Sequence, residues 1–409
     1  QGQAFTGLTD EYYFAFSIRD TGYTHSVNFG QKPFKYAPPA GFQPLNDANV
    51  RPVKVITRPD QFVSATLYSG NTSTQSINVG LNPDFVWIKK RSGSADHYLY
   101  DTVRGATNRI YSNTTDAEST SSTALTAFTS NGFNLGNAND VNQSSNTYVS
   151  WAWKAGGNKG TWNKNGEDVG SLINAGLNYG DTAKLNGASV GTRQGFSIVK
   201  WTQDGGGAGS QIAHGLTQAP NFVIMKHLNA TSNWFVTHTS LSAATKVLYL
   251  NDNTAEDTSN DFGNTFPGAT YTTTNTTGVD GREVIMYSWH DVPGLQKFGK
   301  YTGNNNADGP FIELGFRPAL LWIKSASAGS SNWLAVDGTR SPHNIADEFL
   351  RLNTSGAETD SDYVDLLSNG FKVRANPNGL NSSNDTTVIY CAWAEAPTVN
   401  LFGAQSNAR

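Results

Sequence analysis

Apolar residues along this chain fall in short runs, and clusters of Gly, Asn and Ser separate those runs roughly every 8 to 15 residues, the spacing of many strands joined by turns. Around three late tryptophans the runs alternate with period two. Val149, Trp151 and Trp153 share one strand face, and Ile285, Tyr287, Trp289 and Ile389, Cys391, Trp393 match them. This alternation predicts strands whose apolar faces point into three equivalent cores. Helix is predicted to be minor, with one short candidate over Ser341 to Phe349 capped by Ser341 or Asn344.

The same landmarks recur in one order in three units, about Phe62 to Gly157, Phe196 to Gly294 and Phe298 to Pro397. Each has an apolar run closed by lysine: Phe85 to Lys89, Phe222 to Lys226 and Leu320 to Lys324. Next come His97-Tyr98, Trp234-Phe235 and Trp333-Leu334, then turns carrying Ala117-Glu118, Ala255-Glu256 and Ala357-Glu358. From that Glu to Trp153, Trp289 or Trp393 the spacing is 35, 33 and 35 residues. The first and third units share Ser130-Asn131-Gly132-Phe133 and Ser368-Asn369-Gly370-Phe371, whereas the second is Thr-rich there and is the divergent member.

The expected organisation is an N-terminal piece over 1–50, a first repeat over 51–157, a Gly/Asn-rich linker over 158–195, and a divergent second repeat over 196–294. A third repeat with a C-terminal tail fills 295–409. The second and third repeats, joined through Val292-Pro293-Gly294-Leu295, should form a rigid pair, with the first free to pivot. The fold class is all-β: tandem antiparallel β-sandwich repeats, jelly-roll or concanavalin-like, with little helix.

Composition narrows the function. The 409 residues allow two to four domains. Polarity comes from Asn, Thr, Ser and 41 Gly rather than from charge, which is only 15% of residues. A net charge of −4 with no basic stripe argues against nucleic acid, and no apolar run approaches the length of a spanning helix. Cys391 stands alone, so no intrachain disulfide forms. The start at Gln1, without Met or a leader-like run, points to processing or to numbering that begins inside a longer polypeptide.

Before the repeats, Tyr12 to Phe16 and His25 to Phe34 read as two strands, followed by Tyr36-Ala37-Pro38-Pro39-Ala40-Gly41-Phe42. This resembles the closing strands of a SPRY-type domain, a concanavalin-like fold, and leaves an edge that must pair with something. Val86-Trp87-Ile88-Lys89-Lys90-Arg91, Arg104-Gly105, Asn113 to Glu118, Asn131-Gly132-Phe133 and Tyr148 to Gly156 resemble a repeated domain of unassigned function from bacteriophage tail and fibre proteins. Gly195 to Lys200 with His214-Gly215-Leu216, and Tyr301 to Asn304 with Asp308 to Phe311, are similar to it too. The resemblance implies a non-enzymatic virion protein, a tail fibre or host-contacting appendage. It implies partners in other virion proteins, in a host glycan or outer-membrane receptor, and in further copies of itself, a homotrimer by the habit of fibres. Alternatives are a capsid-decorating or polysaccharide-binding surface protein, or a capsule depolymerase with an intersubunit site.

Catalytic motifs yield little. Gly187-Ala188-Ser189-Val190-Gly191 spells a nucleophile elbow but falls in the linker, where a flexible turn is expected. Glu118, Glu256 and Glu358 come one per unit and are expected to accept backbone amides. Asp101 and Arg104 recur as Asp337 and Arg340, a local ion pair, where the second unit has His238 and Leu241. No histidine pair suits zinc. Asn304, Asn306, Asp308 and Gly309 imitate the start of a calcium loop, but its twelfth position is Gly315 instead of Glu. Catalytic residues, metal and cofactor are therefore all expected to be none. For binding, a ring stacked on a sugar is the plausible chemistry, with Trp162 the candidate and Trp201 expected to be buried. Burial of a tryptophan removes about 150–250 Å² from water, about 5 kcal/mol at 25 cal/mol per Å². Trp393→Ala should thus be among the most damaging single changes, a loss read directly in thermal melts.

Overall fold

The structure, a computed structural model, describes residues 55–399 and 405–406 except 179, 205–207, 260–266, 269–270, 276–279, 375–379 and 382–385. Compactness divides the chain after Lys54, and the described residues belong to the second unit, Val55–Arg409. The SPRY-like strands expected over 1–50 lie outside them.

The fold is all-β, in several sheets that are antiparallel except where Trp162–Lys164 runs parallel to Leu185–Gly191. Among the described residues the one α-helix is Asn139–Asn142. The helix expected near Ser341 is absent. Ala346–Arg351 is instead a strand paired with Leu334–Asp337, placing Phe349 opposite Val336. Cross-strand burial of Phe349 and Leu350 overrides the local capping signal there.

Each repeat builds the same four-strand order. An entry strand lies next to the strand that carries the late tryptophan, which pairs with the lysine-ended strand, which pairs with a return strand. In the first repeat these are Val63–Ser69, Thr147–Trp153, Phe85–Lys90 and His97–Asp101. The second uses Phe196–Asp204, Asp280–Trp289, Phe222–His227 and Phe235–His238, and the third Gln296–Thr302, Thr387–Ala394, Pro318–Ser325 and Leu334–Asp337. Register is equivalent as well: Trp153 faces Phe85, Trp289 faces Phe222, and Trp393 faces Leu320.

Residues 158–195 are not a separate connector. Their strands Trp162–Lys164, Glu167–Asp168 and Leu185–Gly191 extend the second repeat's sheet beyond its entry strand. The Asn-Gly-Phe motif has a steric reason. A Cβ at Gly132 would lie 1.9 Å from the Ile77 carbonyl oxygen, and one at Gly370 would lie 2.0 Å from that of Ile312, so only glycine lets these strands approach.

Period-two alternation sends the two faces of each sheet to different cores. One face of the lysine and tryptophan strands carries Val86, Ile88, Tyr148 and Ala152, or Val223, Met225, Val284 and Met286, or Leu321, Ile323, Val388 and Tyr390. Each of these sets is buried in a core private to its own repeat. The other face carries the landmarks of the sequence pattern. Trp87, Trp151, Trp153, Ile285, Tyr287, Trp289, Trp322, Ile389, Cys391 and Trp393 all belong to one continuous core. The expectation of three equivalent cores for these faces is thereby corrected: they share one.

At its centre the three equivalent tryptophans meet edge to face. Their ring centroids lie 6.4 Å (Trp153–Trp289), 6.2 Å (Trp289–Trp393) and 5.5 Å (Trp153–Trp393) apart, at 69°, 73° and 68°. Such pairs add about 0.5–1.5 kcal/mol each to the burial itself. Trp322 joins the cluster at 4.8 Å from Trp393 and 5.7 Å from Trp153. The first repeat therefore cannot pivot as expected, because its tryptophans are packed against those of both other repeats.

Because one core serves all three repeats, unfolding should be a single calorimetric transition whose calorimetric and van't Hoff enthalpies agree. Trp153→Ala or Trp289→Ala should lower that one transition as a whole, at a cost of about 3–5 kcal/mol. Three separable melts, with only the mutated repeat affected, would mean that the private cores are the true folding units.

Candidate functional site

The most organised polar chemistry lies in the seams between repeats, and it recurs. In the first seam Lys226 of the second repeat donates to Thr115 O of the first, at 3.1 Å. In the next, Lys324 of the third repeat donates to Thr254 O of the second, at 2.7 Å. The circuit closes where Lys89 of the first repeat donates to Ser355 O of the third, at 3.2 Å. Two residues past each lysine, a backbone carbonyl accepts the amide of the neighbour's landmark glutamate: Leu228 from Glu118, Ala326 from Glu256, and Arg91 from Glu358. A third contact repeats seven residues before each glutamate. Trp234 Nε1 donates to Tyr111 O at 2.7 Å, Trp333 Nε1 donates to Tyr249 O at 2.9 Å, and His97 Nε2 meets Arg351 O at 3.0 Å.

These lysines are buried at the ends of apolar strands, where an ammonium is costly unless it is hydrogen-bonded. Burial lowers Lys324 to about 7 and Lys89 and Lys226 to about 8. His97 has its tautomer fixed: Trp87 Nε1 donates to Nδ1 at 2.8 Å, so Nε2 carries the proton given to Arg351 O. Burial, with Lys89 nearby, depresses His97 well below the ordinary histidine value. Burial likewise holds His214, His227 and His238 near 4.

The Asp-Arg pairs face the same seams. Arg104 donates to Asp101 at 2.5 Å and to Glu118 at 2.8 Å, while Tyr287 of the second repeat donates to the same Asp101 oxygen at 2.6 Å. Arg340 repeats this on Asp337 and Glu358, and Trp151 Nε1 of the first repeat donates to Asp337 at 3.0 Å. In the second repeat, where His238 and Leu241 take these places, Glu256 accepts instead from Ser242 N and Oγ. Hence only Glu256 has the backbone-amide role expected of all three glutamates. Glu118 and Glu358 are bound by guanidinium groups, with Arg91 adding to Glu358 at 2.7 Å.

The remaining sequence candidates are dispersed. Ser189 lies inside a buried strand rather than on an exposed elbow, and its hydroxyl exchanges hydrogen bonds with Gly156 N and Gly157 O. Trp162 is half-buried against the second repeat's private core, and Trp201 is buried within it. Asn304, Asn306 and Asp308 turn their oxygens toward loop amides and Lys372. Among the described residues no group of three His, Cys, Asp or Glu is placed to hold a metal ion.

One surface cleft stands out, and the sequence reading missed it. It encloses about 230 Å³ on the third repeat, between Ser330, Ser331, Asn332, Leu334, Phe349, Arg351, Tyr363 and Leu380. Phe349 and Tyr363 lie 5.1 Å apart, and the Arg351 guanidinium sits 5.0 Å over the Phe349 ring. The signal available in sequence was Phe349-x-Arg351 where the first repeat has Arg109-x-Tyr111.

With the geometry in place, comparison with known proteins defines the class. Residues 58–397 match the family described as Domain of unknown function (DUF7483), and the chain belongs to that family. The match runs unbroken across all three repeats and the strands between the first two. No curated protein matches the chain, and no solved structure does either.

The buried histidines set the acid behaviour. With folded values below 6.5, their stabilising contribution is complete above that pH and is lost as pH falls toward 4. The lysines act in the same sense at higher pH, since they are neutral in the folded chain but charged in the unfolded one between about 7 and 10.5. Tm should therefore climb from pH 4 to 6.5 and again above 7. His97→Gln, whose amide can replace both bonds, should flatten the first rise, and Lys324→Met the second. Profiles identical to wild type would exclude these residues as the titrating groups.

Proposed function

We propose that the protein is a non-enzymatic structural component of a bacteriophage particle, a tail fibre or host-contacting appendage. The observation that carries this reading is the shared aromatic core with its closed circuit of seams. The charged and hydrogen-bonding side chains that the sequence singles out are engaged in holding repeats together, which suits a load-bearing scaffold. The motif resemblance to phage tail and fibre proteins supports the same reading. Each repeat is read as a β-sandwich of jelly-roll or concanavalin type, its four-strand sheet packed across a private core.

Homo-oligomerisation belongs to the proposal. The three repeats satisfy one another within one chain, so association into a trimer would use surfaces other than the seams. Other virion proteins and a host glycan or outer-membrane receptor are the proposed partners. A capsid-decorating, polysaccharide-binding role is the second reading, favoured by the cleft on the third repeat. Immunogold labelling of intact particles should place the chain at the tail or its fibres. Label over the capsid would favour decoration, absence of label would defeat a virion role, and reducing ends released from host capsule would defeat the non-enzymatic one.

A further inference from the structure

Each repeat enters its four-strand sheet at one margin, and the three differ in what lies beyond that entry strand. In the second repeat Leu185–Gly191 pairs antiparallel along Phe196–Asp204, and Trp162–Lys164 and Glu167–Asp168 carry the sheet two strands further. In the third the chain itself occupies the edge: Gln296 exchanges backbone bonds with Val292, and Phe298 N donates to Asp291 Oδ1 at 2.8 Å. In the first repeat Val63–Ser69 has a strand on one side only, Thr147–Trp153, among the described residues.

Bonds to that one partner fix which way each peptide points. Phe62 O accepts from Lys154 N and Gly70 N donates to Asn146 O, so with unbroken register between them the even-numbered residues face the partner and the odd-numbered ones face away. Ala65 N and both the amide and the carbonyl of Leu67 therefore point outward, and none of them has a hydrogen-bond partner among the described residues. Leu67 is 37% exposed, and the seven residues include neither a charge nor a proline, the usual guards of a free edge.

The second repeat shows what such an edge accepts. Trp153 pairs with Val63 and Trp289 with Phe196, so Ala65 corresponds to Ile198 and Leu67 to Lys200, the residues that face Ser189 and Gly187. Gly187 is small for a steric reason: a Cβ there would lie 3.3 Å from Val103 Cγ1 of the first repeat. Thr339 of the third repeat, two residues past Asp337 as Val103 is past Asp101, stands at the matching place, its hydroxyl donating to Ala65 O at 3.2 Å. We propose that the edge of Val63–Ser69 binds an extended segment of another protein, added antiparallel as a fifth strand, with small side chains and nothing larger than Gly or Ala where it passes Thr339. Main-chain bonds to Ala65 and Leu67 hold the segment, and the narrow passage at Thr339 selects it. The inference goes beyond the structural role and stands whether or not the chain belongs to a phage particle.

The test titrates the full chain into a fluorescent peptide with the sequence of residues 184–192, the segment that covers the equivalent edge, and reads anisotropy. The peptide should bind with a Kd of about 1 mM or tighter, and amide exchange at Ala65 and Leu67 should slow. Methylating the peptide amide at the position of Ser189, which faces the edge, should weaken binding by about tenfold or more, whereas methylation at the position of Ala188, whose amide points away to Thr161 O, should not. Leu67→Pro removes an outward amide without touching a bond to Thr147–Trp153, and it should weaken binding as the first methylation does. Thermal melts check that this variant folds, and the two methylated peptides carry the test if it does not. Absence of binding, equal binding of the two methylated peptides, or unchanged binding by Leu67→Pro would each overturn the proposal. So would a dimer of the chain alone that Leu67→Pro dissociates, since a second copy would then occupy the edge.

Discussion

Three tryptophans from three repeats, Trp153, Trp289 and Trp393, meet edge to face at the centre of this protein, and the rest of the described structure is arranged so that they can. Close-packed aromatic contacts of this kind leave no room for repeats to move independently. Their indole N–H groups reach no oxygen acceptor among the described residues, so the site carries a polar cost. Ring packing and the surrounding Phe85, Phe222, Tyr287 and Trp322 must outweigh it. A repeat taken alone would expose this face to water, which explains why one family match spans all three.

Around that centre, polar groups fix how neighbouring repeats align. A buried lysine reaching a neighbour's carbonyl adds little net stability compared with an apolar contact, but its donors demand one geometry. The same holds for Asp101 and Asp337, each shared between its own arginine and a ring from the next repeat. The seam between the second and third repeats differs, since the second repeat has His238 where the others have aspartate, and the third repeat has Cys391 in register with Trp151 and Tyr287. The second repeat's divergence thus follows its neighbour's: with no hydroxyl or indole donor at Cys391, an anionic acceptor opposite would be left buried and unpaired.

The repeat that departs from pattern at the surface is the third. Ring and cation exchange places along one strand, Arg109 and Tyr111 in the first repeat against Phe349 and Arg351 in the third, and a cleft lies beside them in the third. The seam with the second repeat holds the cleft's rim by a backbone bond, from Ser331 N to Asn253 O.

Much of this was legible in the sequence. The all-β class, the repeat and the buried face of each tryptophan strand follow from turn spacing and period-two alternation, which depend on local geometry alone. The recurring lysine was visible too, but not its meaning, since a strand-ending lysine ordinarily reaches solvent. What alternation could not show was where each apolar face goes. Both faces of the central strands are buried, and a pattern that says only inward does not distinguish a private core from a shared one. Nor could it show that residues 162–191 add strands to the second repeat's sheet, or that Ala346–Arg351 pairs instead of coiling, because both depend on partners distant in the chain. Sequence determined the strands and their sidedness, which are set by neighbours two residues apart. Tertiary structure alone decided that Trp153, Trp289 and Trp393, each more than a hundred residues from the next, share one centre. No local pattern records a contact that exists only once the chain has closed on itself.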